Sequence, residues 1–204
     1  MKRCIIITAY NQNKIADAVE ITQDDFIICA DGGYDIAAAE GIAPDIVIGD
    51  MDSSVCEYPE DTIVAPTEKD DTDTILCIDY GVSKGYTDFV IVGGIGGRLD
   101  HTFANLQTLE YAREKGANAL LTDGKNSAFI VTDRAEIPKE EGKTLSVFAY
   151  SEKCTGVYIK GTKYTLQNAE LKSGYPIGVS NEILEENAEI SLKEGKLLII
   201  TSEK

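Results

Sequence analysis

The chain has 204 residues, of which 43% are hydrophobic and 26% are charged, a composition typical of globular domains with a hydrophobic core. Its 35 acidic residues outnumber the 19 basic ones, which gives a formal net charge of −16. That charge repels nucleic acid and anionic membrane surfaces, so we expect neither as a partner, and any phosphate chemistry should depend on a divalent cation.

Short apolar runs alternate with helix-like segments over the first 125 residues. The predicted strands are "CIIIT", "FIICAD", "DIVIGD", "TIVAP", "DFVIVGG" and "NALLTD". The predicted helices are "KIADAVEI", "YDIAAAEG", "DTILCIDYGVSKG" and "HTFANLQTLEYAREKG". Strands that are apolar on both faces and separated by helices are typical of a parallel sheet covered on two sides. Residues 1–125 therefore predict an α/β domain.

The pattern changes after residue 125, where the helix-like segments stop. Alternating runs such as "SAFIV", "KTLSVFAY", "GVYIKG", "YTLQ" and "AEISLKEGKLLIITS" are broken by Gly, Asn and Lys-Gly turns. This spacing predicts an antiparallel sandwich or barrel over residues 126–204. The stretch "SGYPIGVSNEILEE" interrupts it and is predicted to be an irregular loop.

The five cysteines are widely spaced, include no CxxC, and lie mostly in apolar runs. They predict buried, reduced thiols in a cytoplasmic protein. The apolar N-terminal run is too short for a signal peptide, and no apolar stretch is long enough to span a bilayer.

Acidic and glycine-rich motifs follow several predicted strands. "CADGG" contains Asp31, "IGDMDSS" contains Asp50 and Asp52, and "EKDDTDT", at the start of a predicted helix, contains Asp70 and Asp73. Taken singly, such motifs are usually turns or helix caps. Because the carboxyl ends of parallel strands share one edge, these carboxylates should converge there, and they repel one another unless metal ions compensate them.

The motif "GGIGGRLDH" adds an arginine to the same edge. Magnesium takes carboxylate oxygens while it bridges substrate phosphates, and the guanidinium of Arg98 suits phosphate oxygens. The neighbouring glycines would let backbone amides approach the same group. These parts predict phosphoryl or diphosphoryl transfer, and the absence of GxxxxGK[ST] from the sequence excludes a P-loop.

The motifs "CADGG", "GDMDS", "KDDTDT", "GGRLDHTFAN" and "GVSNE", in this order, resemble those of thiamine pyrophosphokinases. The resemblance covers most of the chain. It implies Mg²⁺-dependent transfer of diphosphate from ATP to the hydroxyl of thiamine, which gives thiamine diphosphate and AMP. It also implies an α/β ATP-binding catalytic domain (1–125), a β-sandwich thiamine-binding domain (126–204), and a homodimer with shared active sites.

The resemblance also implies roles for individual residues. Catalytic roles fall on Asp70, Asp73, Arg98 and Asp100. The metal-binding carboxylates are Asp50, Asp52, Asp70, Asp73 and Asp100. Nucleotide contacts fall on Asp31, Gly32, Gly33, Asp50, Asp52, Ser53, Arg98, His101 and Asn105. Ser180 and Asn181 match a thiamine-contacting turn that serves the site of the partner subunit.

The sequence departs from its relatives at two positions and leaves alternatives open. Some relatives carry glutamine where His101 stands, and others stack a tryptophan on thiamine, whereas this chain has none and Tyr175 is one candidate to cover the ring. Either Asp70 or Asp100 could accept the hydroxyl proton. The alternative functions are a non-catalytic thiamine or nucleotide sensor and a Mg²⁺-dependent phosphohydrolase.

Overall fold

A computed structural model of the chain describes residues 2–50, 62–64 and 71–204. The chain divides into two compact units, Met1–Lys125 and Asn126–Lys204. Parallel strands and helices make up the first unit and antiparallel strands the second, so the chain is a mixed α/β protein. Among the helices in the described ranges, none combines the length and the hydrophobicity needed to cross a bilayer.

The first unit is built on a parallel sheet. Its strands are β1 (Cys4–Ile7), β2 (Phe26–Ala30), β3 (Ile46–Gly49), β4 (Ile63–Val64), β5 (Asp88–Val92) and β6 (Asn118–Thr122). Its helices are α1 (Ile15–Ala18), α2 (Gly33–Ala39), α3 (Asp73–Ser83) and α4 (Leu99–Glu114). The spatial order is β4-β3-β2-β1-β5-β6, and every pair is parallel. The chain therefore builds outward from β1 in one direction and then restarts at β5 on its other side.

The central strands are apolar on both faces because helices cover the sheet. All four residues of β1 are buried, and Ile5 and Ile7 pack with Ile15, Val47 and Val90 in one cluster. The six predicted strands are confirmed. Helix α1 is shorter than predicted. It ends at Ala18 because the backbone of Val19 is extended, and this conformation places the Val19 side chain in the core.

The second unit consists of seven antiparallel strands. They are β7 (Asn126–Val131), β8 (Arg134–Pro138), β9 (Lys143–Ala149), β10 (Lys153–Lys160), β11 (Leu166–Lys172), β12 (Asn187–Ser191) and β13 (Leu197–Glu203). Strands β7-β13-β9 pair in that order, as do β11-β10-β12-β8. Leu145 and Ile199 of the first set share one hydrophobic cluster with Val157 and Ile190 of the second. The sequence missed β8, which is short, half charged and ends in proline.

The four cysteines in the described ranges, Cys4, Cys29, Cys77 and Cys154, are buried, as the spacing predicts. Burial raises the pKa of the Cys4 and Cys29 thiols to about 12, so these two stay protonated in the core. Cys56 lies outside the described residues.

An enclosed ion pair joins the segment before β1 to the turn before β2. The guanidinium of Arg3 donates to both carboxylate oxygens of Asp25, at 2.9 and 2.7 Å, and the backbone N–H of Thr22 donates to the same carboxylate at 2.8 Å. The Asp25 side chain is only 5% exposed. This carboxylate holds the first β-β connection against the sheet.

We expect Asp25→Asn to lower the free energy of unfolding at neutral pH by about 1.5–3 kcal/mol, because hydrogen bonds to a charged group are lost. The hydrogen bonds from Arg3 lower the pKa of Asp25 in the folded protein from its ordinary value of 3.8. The stability that ionised Asp25 contributes is therefore fully present above pH 3.8 and is lost as the pH falls through the lower pKa of the folded protein. In urea, the difference in the free energy of unfolding between Asp25→Asn and the wild type should become smaller toward pH ~3. Asp24→Asn, at the exposed neighbour, is the control; an equal gap at both pH values would contradict the prediction.

Candidate active site

A cavity of about 620 Å³ opens at the carboxyl ends of the strands of the first unit. It lies where the strand order reverses, between the loop after β1 and the loop after β5, the usual ligand-binding crevice of an open α/β sheet. Seven of the residues predicted from sequence line it: Asp31, Asp50, Asp73, Arg98, Asp100, His101 and Asn105. The fold therefore brings together side chains that are far apart in the sequence.

Asp31 is held rigidly at the end of β2. It is 6% exposed, its backbone N–H donates to the carbonyl of Ile48 at 2.9 Å, and its φ of 45° lies in the left-handed region. A side chain at Gly49 would come within 2.7 Å of the Asp31 Cα, so β3 has glycine where the two strands approach. A residue fixed in such a sparsely populated conformation beside a cavity is typical of a functional position.

The start of α3 supplies the acidic segment. Thr72 is the N-cap and accepts a hydrogen bond from the backbone N–H of Ile75 at 3.3 Å. Because the threonine provides the cap, the helix does not need Asp71 or Asp73 for it, yet both line the cavity. Asp71 is a lining residue that the sequence prediction left out.

The loop after β5 is tied to other parts of the chain through its glycines. Gly94 and Gly97 have φ of 69° and 61°. A Cβ at Gly94 would overlap the side-chain amide of Asn105, and a Cβ at Gly97 would lie 2.7 Å from the ring of Tyr10. These two glycines thus let the loop lie close against Asn105 and Tyr10 of the same chain.

Three backbone N–H groups of this loop already have partners in the protein. Those of Gly93, Gly94 and Gly96 donate to the Thr122 carbonyl, the Tyr10 carbonyl and the Thr102 hydroxyl, at 2.8, 2.6 and 3.0 Å. In this structure, these three glycines therefore donate their backbone N–H groups to the protein itself, whereas the sequence had suggested that they offer them to a phosphate. Their role in this structure is to shape the loop that ends at Arg98.

Arg98 and Asp100 face each other at the start of α4. The guanidinium donates to the Asp100 carboxylate through Nε at 3.2 Å and through a terminal nitrogen at 2.6 Å, with both side chains exposed. Hydrogen bonding from Arg98, with a further bond from the backbone N–H of His101, lowers the pKa of Asp100 to about 2. Asp100 is therefore an ionised carboxylate across the physiological pH range.

The segment after β1 also lines the cavity, with Thr8, Ala9 and Tyr10. The Thr8 hydroxyl donates to the carbonyl of Val92 at 3.0 Å, which ties the end of β1 to the end of β5. The sequence prediction missed these residues although the signal was present: "TAYN" follows the first strand, at the same edge as the motifs that were chosen.

Three predicted site residues, Asp52, Ser53 and Asp70, lie outside the described residues. Gly32 and Gly33 are not among the described residues of the lining, and a Cβ at Gly33 would overlap the carbonyl oxygen of Ile7. Gly33 thus allows α2 to start directly against β1.

The acidic groups present fit magnesium by their chemistry. Within residues 2–50, 62–64 and 71–204, no three side chains of His, Cys, Asp or Glu converge closely enough to form a ready-made metal cluster. Asp50, Asp73 and Asp100 nevertheless share the cavity wall. Carboxylates that leave room for waters and substrate oxygens are how proteins usually bind Mg²⁺.

The second unit carries the Ser-Asn turn. Asn181 is 6% exposed; its side chain donates to the Tyr164 carbonyl at 2.7 Å and accepts from the Tyr164 N–H at 3.0 Å. Ser180 is exposed with a φ of 55°, and its N–H donates to the Ser146 hydroxyl at 3.1 Å. Asn181 therefore anchors the turn. The groups that this part of the unit presents to solvent include Ser180, the rings of Tyr164 and Tyr175, and the apolar side chains of Ile177, Val179 and Leu184.

Comparisons with known proteins agree with this arrangement. Residues 19–121 match the family described as "Thiamin pyrophosphokinase, catalytic domain", and residues 134–197 match "Thiamin pyrophosphokinase, vitamin B1 binding domain". Thiamine pyrophosphokinase of Bacillus subtilis is 29% identical over 213 residues, which cover 99% of both chains.

Solved structures give the same result. The crystal structure of thiamine pyrophosphokinase from B. subtilis superimposes with a TM-score of 0.86 at 25% identity and full coverage of both chains. That of a thiamin pyrophosphokinase family protein from Enterococcus faecalis gives 0.84 at 27% identity, covering 99% of each chain. The chain therefore belongs to the thiamin pyrophosphokinase family, and its activity is that of a thiamine diphosphokinase.

Proposed function

We propose that the first unit binds ATP with Mg²⁺ at the cavity between β1 and β5 and transfers its terminal diphosphate to thiamine. The observation that carries this proposal is the shared wall of one cavity that holds Asp50, Asp73 and Asp100 together with Arg98. In the reaction, the thiamine hydroxyl oxygen bonds to the β-phosphorus of ATP. The bond from that phosphorus to the α-β bridging oxygen breaks, and AMP leaves with the oxygen. A carboxylate, Asp70 or Asp100, accepts the hydroxyl proton.

Asp50, Asp52, Asp70, Asp73 and Asp100 are the residues that would hold magnesium. The ion, when bound, neutralises charge on the phosphate oxygens. Asp100 lines the cavity with an exposed carboxylate, which supports its role as a ligand.

Arg98 changes partner in this proposal. It now donates to Asp100, and both side chains are exposed, so the pair contributes little to stability and separates readily. A planar guanidinium donates equally well to two phosphate oxygens. Arg98 would thus hold the phosphates while Asp100 turns to the metal, and Asp31, His101 and Asn105 would line the nucleotide cleft.

Thiamine recognition is assigned to the second unit, in which residues 134–197 match the vitamin B1 binding domain. We propose a homodimer in which the Ser180 turn of one chain serves the active site of the other. The exposed Ser180 hydroxyl would contact thiamine, and the exposed rings of Tyr164 and Tyr175 are candidates to cover it. The burial of the cysteines in the described ranges supports a cytoplasmic location, where thiols stay reduced.

The decisive assay incubates the purified protein with ATP, Mg²⁺ and thiamine, and follows AMP and thiamine diphosphate by chromatography. We expect the two products in equal amounts, and none after chelation with EDTA. Binding of both substrates without AMP would indicate a sensor. Phosphate or diphosphate released without thiamine would indicate a hydrolase, and either result would overturn the proposal.

Asp73→Asn and Asp100→Asn should each lower kcat by about a hundredfold or more, because charge stabilisation at a transferring phosphate is lost. The control is Asp79→Asn on the same helix as Asp73; Asp79 accepts a hydrogen bond from Tyr111 at 2.7 Å and does not line the cavity. It should keep nearly full activity. Wild-type activity in either of the first two variants would remove that aspartate from the reaction.

Mixing variants tests the shared site. Ser180→Lys places a cation at the turn and should raise the KM for the cationic thiamine without changing that for ATP. At a thiamine concentration well below the KM of Ser180→Lys, an Asp100→Asn chain mixed with a Ser180→Lys chain should regain up to about one quarter of wild-type activity, because half of a random mixture is hybrid and each hybrid has one intact site. No recovery in hybrids verified by mass spectrometry would show that each chain completes its own site.

A further inference from the structure

We propose that Thr74 is a positioning residue of the diphosphate transfer, acting through Asn105. Both side chains are buried, each 7% exposed, and both border the cavity. The Thr74 hydroxyl donates to the side-chain carbonyl of Asn105 at 3.1 Å, and the amide of Asn105 donates to the backbone carbonyl of Gly94 at 3.0 Å. This inference rests on the proposed function.

The direction of these bonds is fixed by chemistry. The backbone carbonyl of Gly94 can only accept, so the Asn105 amide must face it. The side-chain oxygen of Asn105 then faces Thr74, and because this oxygen can only accept, the Thr74 hydroxyl must donate. The carboxamide has one orientation, and Thr74 is what satisfies its oxygen.

The chain of bonds joins three separate elements. Thr74 lies in the first turn of α3, directly after Asp73; Asn105 lies on α4, which begins beside Arg98; and Gly94 lies in the loop after β5. Each element carries or adjoins a group assigned to the phosphates or the metal. One carboxamide therefore sets the distance between the acidic start of α3 and the loop that leads to Arg98.

Glycine at position 94 strengthens this interpretation. A Cβ there would overlap the Asn105 amide, so the loop approaches the carboxamide as closely as its backbone allows. Small misplacements of catalytic groups are costly, since a shift of about 1 Å lowers rates by on the order of a hundredfold. A tight connection of this kind limits such shifts.

Thr108 provides a matched comparison for a purely structural threonine. It lies on α4 and is 2% exposed, and its hydroxyl donates to the carbonyl of Ala104 in the same helix at 3.0 Å. It is not among the described residues that line the cavity, and its hydroxyl bond stays within α4. Thr108→Val thus removes a buried hydroxyl of the same kind without touching the connection between α3 and the β5 loop.

The test compares Thr74→Val, Thr74→Ser and Thr108→Val. Calorimetry measures the affinity for Mg²⁺ with a non-hydrolysable ATP analogue. AMP release gives kcat and both KM values, and unfolding in urea gives the free energy of unfolding. Thr74→Val should bind the magnesium-analogue complex about tenfold more weakly or worse, as expected for residues that orient metal ligands, and should lower kcat. The KM for thiamine should stay within about twofold. Thr74→Ser, which keeps the hydroxyl, should restore both values.

Thr108→Val should lose less stability than Thr74→Val, because its hydroxyl only adds a bond to a carbonyl of its own helix, and it should bind the analogue as the wild type does. Equal analogue affinity in Thr74→Val and Thr108→Val, or no rescue by Thr74→Ser, would overturn the positioning role. If Thr74→Val does not fold, Thr74→Ala against Thr108→Ala makes the same comparison. A wild-type protein that binds no magnesium-analogue complex or forms no thiamine diphosphate would instead overturn the proposed function, so the two failures are distinct.

Discussion

Repulsion between like charges is the constraint on which this site depends. Five aspartates line one cavity of the first unit, and the described lining offers only Arg98 and His101 as basic groups. No three of the described acidic side chains converge into a ready-made metal cluster, but carboxylates around one cavity favour a cation between them because their like charges repel. The parallel sheet places them around this cavity, because its strand order reverses at β1 and β5 and all its carboxyl ends share one edge.

The ion pair of Arg98 with Asp100 relieves part of this repulsion from within the chain. Its geometry is bidentate and its hydrogen bonds hold the Asp100 carboxyl ionised. Because both partners are exposed, solvent screens the pair and little stability is lost when it opens. The fold thus keeps Arg98 and Asp100 beside each other. A ligand that carries both a cation and phosphate oxygens can take the place of each partner, the phosphate at Arg98 and the cation at Asp100.

Sequence patterns predicted the strands of the first unit and seven of the residues that line the cavity. Both predictions rest on apolar runs and on the rule that the carboxyl ends of parallel strands share one edge of the sheet. They could not identify what the glycines contact. Gly97 meets Tyr10 and Gly94 meets Asn105, and such pairs become visible only when β1, β5 and α4 are assembled. In the same way, the buried side chain of Asn181 shapes its turn through Tyr164, a contact that the motif alone does not reveal.

The same repulsion bears on which form of the nucleotide the proposed site accepts. A free triphosphate would add its negative charges to those of Asp50, Asp73 and Asp100, whereas a magnesium complex brings the cation that these carboxylates need. The acidic wall therefore favours the magnesium complex over the uncomplexed nucleotide. Since the thiazolium of thiamine is also a cation, the net charge of −16 attracts it, and one excess of carboxylates would serve both substrates.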